Sequence, residues 1–421
     1  MPEIVVLGTK GFFHHAEPLI KHYGDRLIVE AEYTPERVAA HNPDLLIAFE
    51  ASNPHRGLCT AEMMRRNVAT LLIMDGIQEW RNTWSRTKGL TKRPLNQPAL
   101  VHKIACLGRV DARLYESWGN VGKCEVTGAP RLDDLVVQQR PGRTEVITGR
   151  PLRLLVMTAR TPGFTAAETE VTLQSLRDLQ NALDQRKDIE VVWRISKGLH
   201  MELGVKNTYT SATGEELHDL LPQMDAVITT PSTAQLEAML LGMPVALLNY
   251  HFVPVYTQAA WEIKCNAHIA QVLDDLINPP LERMVYQDYC LQDSLSCKSE
   301  AMPRLVHLID EMLRIKRQFD LNPQGQLVFP DRILDSAEPF VSWPSQNFNL
   351  EKLYQEHPVF GNRDVTYLQS ELDAALITVE TLKAQVGTLT GRLHRIPGYT
   401  LVKKIVLSIQ RRFYLSGHSR V

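Results

Sequence analysis

Two groups of residues in this chain have types and spacing suited to chemistry. The first lies in the run from Asp225 to Tyr250, DAVITTPSTAQLEAMLLGMPVALLNY. Ser232 and Thr233 open a helix there, with Gln235 and Glu237 in its first turns. A hydroxyl-rich helix start offers free N–H groups and the positive end of the helix dipole to an anion. Glu237 is spaced to accept hydrogen bonds from sugar hydroxyls. The same residues also fit a local role, with Ser232 or Thr233 capping the helix and Glu237 completing a capping box. The second group follows strands of the first half: Lys10, Gly11, His14, His15, Glu50, Asp75 and Glu79. A carboxylate or imidazole among them could deprotonate an acceptor hydroxyl. Asp75 comes first as that base, His14 or His15 second and Glu50 third. Each also fits a plainer role, Asp75 as a turn carboxylate and the histidines as packing beside Phe12 and Phe13.

Alternating strands and helices must position these groups. In the first half, short apolar strands are expected at Ile4 to Leu7, Leu27 to Val29, Leu45 to Phe49, Leu71 to Met74, Ala105 to Leu107 and Cys124 to Val126. Helices are expected at Pro18 to Tyr23, Pro35 to His41, Thr60 to Arg66 and Asp111 to Trp118. Such alternation implies a parallel sheet covered on both faces, with ligands outside the carboxyl ends of the strands. Arg140 to Arg150, RPGRTEVITGR, reads as a linker. The alternation then restarts with strands at Leu154 to Met157, Glu190 to Trp193, Ala226 to Thr229 and Val245 to Leu248. Arg160, Arg194, Lys197 and Ser232 follow these strands, a basic and hydroxyl-rich set suited to a diphosphate.

The chain has 421 residues, enough for two domains and an appendage. The expected division is a first α/β domain at 1–140, a second at 141–320, an irregular connector at 321–363, a coiled coil at 364–395 and a basic amphipathic tail at 396–421. With a net charge of −2, nothing in the composition argues for nucleic acid. No apolar run is long enough to span a membrane, and MPEIVVLG enters a strand without a signal-like h-region. The six scattered cysteines suit free thiols in a reducing cytoplasm. From Val365 through Leu368, Leu372, Ala375, Val379, Leu382, Val386 and Leu389 to Leu393, apolar residues recur at spacings of three and four. That is a coiled-coil seam, and self-association through it is expected. Beyond Pro397, the segment from Leu401 to Phe413 carries Lys403, Lys404, Arg411 and Arg412. It suits an anionic membrane surface or a solvated basic end.

On these residues the chain resembles the GT-B glycosyltransferases and the related sugar-nucleotide 2-epimerases. The match rests on the hydroxyl-rich turn before Glu237, on Gly242-Met243-Pro244-Val245, and on the run from Val126 to Asp133. Asp75-Gly76 is similar to a step in bacterial surface-polysaccharide transferases. The resemblance covers the first three quarters of the chain. It implies two Rossmann-like domains facing a cleft and a nucleotide-sugar donor held by Arg160, Arg194, Lys197, Ser232, Thr233, Gln235 and Glu237. A glycan or lipid-linked acceptor would lie beside Asp75, Lys10, Gly11 and Glu79. No cofactor and no metal are implied. One departure stands out: where many relatives carry His-Pro after the second strand of the second domain, this chain has Trp193-Arg194-Ile195-Ser196-Lys197. The implied activity is sugar transfer in surface-polysaccharide assembly. Sugar-nucleotide epimerisation, polyol-phosphate transfer from a CDP donor and a non-catalytic nucleotide-binding scaffold are the alternatives.

Overall fold

Among the described residues, eleven short strands, rich in Val, Ile and Leu, form two separate parallel sheets. In the computed structural model, residues 3–334 are described apart from 9–12, 32, 50–53, 85–95 and 210–214, together with 375–376, 379–383 and 386. The first sheet contains β1 (Ile4–Leu7), β2 (Leu27–Glu30), β3 (Leu45–Ala48), β4 (Ala69–Ile73), β5 (Lys103–Cys106) and β6 (Cys124–Val126), in the order β2-β1-β3-β4-β5-β6. The second contains β7 (Leu152–Met157), β8 (Ile189–Arg194), β9 (Ala226–Thr229), β10 (Val245–Leu248) and β11 (Trp261–Ile263), in the order β11-β10-β9-β7-β8. Every pairing is parallel. Strands of parallel sheets are covered on both faces, which is why they read as unbroken apolar runs. In the second sheet the chain steps from β7 outward to β8, then crosses back to β9. The carboxyl ends of β7 and β9 therefore form the point where strand order reverses, the usual place for a ligand in such sheets.

Helices cover both sheets. The helix Ala166–Leu183 starts with a full capping box between Thr165 and Glu168. Its Leu173, Leu176, Leu179 and Leu183 lie in the core of the second sheet. The long helix Met302–Leu321 follows that domain in the chain but packs elsewhere. Its Leu305, Leu308, Ile309, Met312 and Leu313 join the core of the first sheet with Ile4, Leu45 and Leu71. Spacings of three and four put these residues on one face. The following segment stays on the same sheet. Lys103 and Glu125, both fully buried, pair at 2.8 Å, and Glu125 accepts the backbone N–H groups of Ile333 and Leu334. Part of the expected connector is thus held on the body by a buried ion pair.

The structure differs from the sequence reading at several elements. The first helix begins at Phe13, so His14 and His15 sit on a helix rather than in a loop. Pro18 lies inside that helix instead of near its start. The short strand β11 and the helices Ile269–Ile277 and Leu281–Ser294 were not expected at all. Lys10, Gly11 and Glu50 lie outside the described residues, as do most of the expected coiled coil and the whole basic tail. Residues 1–349 and 350–421 form two separate compact units. In the second unit the described stretches are helical, and Leu376, Val379, Leu382 and Val386 are exposed.

Candidate functional site

At the reversal point of the second sheet, hydroxyls tie neighbouring strand ends together. Thr230 Oγ1, after β9, accepts the Ala159 N–H at 2.7 Å, after β7. Ser196 Oγ, after β8, donates to the Ala159 carbonyl at 2.6 Å and lies 3.0 Å from Thr158 Oγ1. These bonds fix the floor on which a ligand would rest. Arg160 stands exposed at the lip of this floor, and Lys197 is exposed with a left-handed φ of 56°. Arg194 is buried, with its guanidinium 4.8 Å from the centre of the Tyr209 ring.

The residues after β9 are engaged differently from the capping expected of them. Thr233 does not cap its helix, Ala234–Leu240. Its Oγ1 instead accepts the N–H of Ile77, from the first domain, at 3.1 Å. Gln235 takes over the local work: its Oε1 accepts the Ser232 N–H at 3.3 Å and its Nε2 donates to the Thr257 carbonyl at 2.8 Å. Ser232 Oγ keeps only a long contact of 3.4 Å to Thr229 Oγ1. Glu237 is buried and forms no capping box. Arg131 Nη1 donates to its Oε1 at 2.9 Å, and His218 Nε2 lies 3.4 Å from Oε2. Burial pushes this carboxyl up, but the His218 ring and the Arg131 charge outweigh it and hold it at about 2. Glu237 is therefore ionised and joins segments near 131, 218 and 237.

One stretch of the first domain, from Asp75 to Trp84, crosses the strand ends of the second. Asp75 follows β4 and is exposed. A Cβ on Gly76 would stand 2.3 Å from Thr233 Oγ1, so the crossing requires glycine here. Arg81 is buried and donates from Nη1 to the Pro162 carbonyl at 3.2 Å and to His251 Nε2 at 2.8 Å. Its Nε donates to Glu79 Oε1 at 2.6 Å. Thr172 Oγ1 also lies 3.0 Å from His251 Nε2. Burial and the Arg81 charge push His251 down to about 4, so its ring is neutral and accepts. Burial pushes Glu79 up, with Arg81 opposing. Further along, Trp84 Nε1 donates to Tyr256 Oη at 3.2 Å.

The structure thus places Gly76 against Thr233 and links Glu79 through Arg81 to the Pro162 carbonyl after β7, with Asp75 next to Gly76 in the chain. His15 lies at the carboxyl ends of the first sheet, with its ring 5.6 Å from that of Phe49, which follows β3, the strand beside β4. The side chain of His14 is among those not described. Arg81, His251, Arg131 and His218 were absent from the expected site. Arg81 and His251 are isolated in the sequence, and only the fold brings them together. Among the described residues, no group of three His, Cys, Asp or Glu is placed to hold a metal ion.

No protein-family model matches the chain, and no curated protein does. Among solved structures it is similar to a Listeria monocytogenes protein assigned as a UDP-N-acetylglucosamine 2-epimerase, at 13% identity and a TM-score of 0.50, over 78% of this chain and 99% of that one. It is likewise similar to S. aureus MnaA in complex with UDP, at 13% identity and a TM-score of 0.51, over 77% of this chain and 99% of that one. Identity at this level speaks to fold. The chain has a GT-B-like fold, as its residues after β9 had implied.

Proposed function

We propose that the protein is a glycosyltransferase that moves a sugar from a nucleotide-activated donor to a glycan or lipid-linked acceptor. One observation carries the reading: a first-domain stretch bearing Asp75 crosses the reversal point of a second-domain sheet whose lip carries Arg160 and Ser232. The likeness to a fold seen with UDP supports a nucleotide there. The donor diphosphate would lie over the Ala159–Thr230 floor, with Arg160, Lys197 and the Ser232 hydroxyl around it. The acceptor oxygen forms the new bond to the anomeric carbon while the bond from that carbon to the phosphate oxygen breaks. Asp75 takes the acceptor's proton, and the nucleoside diphosphate leaves with the electron pair. Cations placed in advance stabilise that growing charge more than the ground state, which lowers the barrier. Glu237 acts as a positioning residue through Arg131, and Gln235 shapes the turn before the helix.

A second reading is favoured by the assignment of the Listeria neighbour, namely epimerisation of a sugar nucleotide without an acceptor. Incubating sugar nucleotides with the protein alone, then with glycan acceptors, separates the two by product mass and proton NMR. The transferase reading expects a product only with acceptor, and loss of turnover in Asp75→Asn with donor binding retained. A converted sugar nucleotide in the absence of acceptor would replace it with epimerisation.

A further inference from the structure

The transferase reading leaves open where the receiving sugar is held, and a crevice between the domains offers a place. A crevice of about 480 Å³ opens between the first-domain helix Arg109–Tyr115, the loop at 255–258 and the helix Leu281–Ser294. Its size falls in the range of small-ligand sites. The base is closed by a tight approach between domains: a Cβ on Gly108 would stand 2.3 Å from the Ser294 carbonyl carbon. Val110, Leu114 and Tyr256 give the crevice an apolar wall, and Arg113, Gln258 and Asp293 give it polar groups.

The Tyr256 ring is braced. Its centroid lies 6.1 Å from Trp80 and 6.4 Å from Trp118, and its hydroxyl accepts from Trp84. Arg113 and Asp293 form an ion pair whose side chains remain partly exposed. Tyr286 donates to Gln258 Oε1, which leaves the amide N–H₂ of Gln258 as a donor. Asp293 offsets the charge of Arg113, so the crevice does not favour a phosphate. A neutral ring with apolar C–H faces and hydroxyl edges matches it better. One face stacks on an aromatic ring, while vicinal hydroxyls meet a carboxylate, a guanidinium and an amide, each with paired acceptors or donors.

We infer that this crevice binds a neutral pyranose of the acceptor glycan, an inference that rests on the transferase reading. Ordering by stacking and by the Arg113–Asp293 pair would hold the acceptor chain apart from the donor diphosphate. Methyl β-D-glucopyranoside and methyl N-acetyl-β-D-glucosaminide are titrated into the full chain while tryptophan fluorescence is followed, since Trp84 and Trp118 adjoin Tyr256. Glycerol 3-phosphate serves as the charged control. The expected result is a saturable change with at least one glycoside and none with the control. Asp293→Asn should weaken that binding by about tenfold or more, and Tyr256→Ala should abolish it. Failure to saturate with either glycoside up to roughly 100 mM, or unchanged binding in both variants, overturns the inference. If Tyr256→Ala does not fold, the partly exposed Asp293 decides the matter. Thermal shifts with nucleotides are recorded on the same preparations. Nucleotide shifts without glycoside binding overturn the crevice alone, whereas glycoside binding without nucleotide shifts overturns the transferase reading and keeps a sugar site.

Discussion

Gly76 shows how closely single residues govern the contact between the domains. Its missing side chain lets the Asp75–Trp84 stretch reach Thr233. Gly76→Ala should cost about 1–3 kcal/mol, because the methyl group must displace a packed neighbour. Thr233→Ala removes the clashing oxygen, so the double variant should be more stable than the sum of single effects implies. Denaturant midpoints for the four proteins check this, and simple additivity would contradict it. Glu237 and His251 predict the acid behaviour of the fold. Glu237 has a carboxyl lowered from 4.5 to about 2, so its contribution is complete above pH 4.5 and is lost as pH falls through 2. His251 is lowered from 6.5 to about 4, so the unfolded chain takes up its proton first. That contribution is complete above pH 6.5 and is lost as pH falls through 4. Glu237→Gln should destabilise by about 3 kcal/mol at pH 7, since it leaves the Arg131 guanidinium without its carboxylate, and should flatten the acid limb below pH 4.5. Urea midpoints between pH 7 and 3 test both statements.

At the scale of elements, ten of the described strands were legible, whereas β11 and the joins between domains were not. Unbroken apolar runs marked the strands, and Ala226–Thr229 and Val245–Leu248 lie where the sequence placed them. The partners of Thr233 and Glu237 could not be read, because Ile77 and Arg131 lie 156 and 106 positions away. A hydroxyl at a helix start reads as a cap unless the fold supplies a more distant donor. Phe12-Phe13-His14-His15 has poor helix formers and Pro18 resembles a first-turn proline, which hid the true start of the first helix. For the helix Met302–Leu321, nothing local in the sequence tells which sheet its apolar face covers. Leu308 is fully buried against the first sheet's core. Leu308→Ala should therefore cost about 2–5 kcal/mol, checked by thermal or urea unfolding, and a change below about 1 kcal/mol would contradict that packing.

At the scale of the molecule, both sheets contribute to one buried apolar cluster, Leu72, Met74 and Cys106 with Leu155, Met157 and Val227, and the polar crossings at Thr233 and Arg81 lie on the side of the reversal point. The tail is a separate matter. A heptad seam at 365–393 leads us to propose a homo-oligomer, with the basic segment after Pro397 as a membrane-surface contact. Sedimentation of the full chain should show an oligomer that becomes a monomer when residues after 363 are removed. The central claim is that a nucleotide diphosphate binds over the Ala159–Thr230 floor, and thermal shifts with UDP, GDP, CMP, CDP and dTDP test it most directly. One nucleotide at a hundred times its dissociation constant should stabilise the wild-type chain by about 2.7 kcal/mol, and Arg160→Ala should lose most of that shift. No shift with any of the five, or an undiminished shift in Arg160→Ala, would contradict the account.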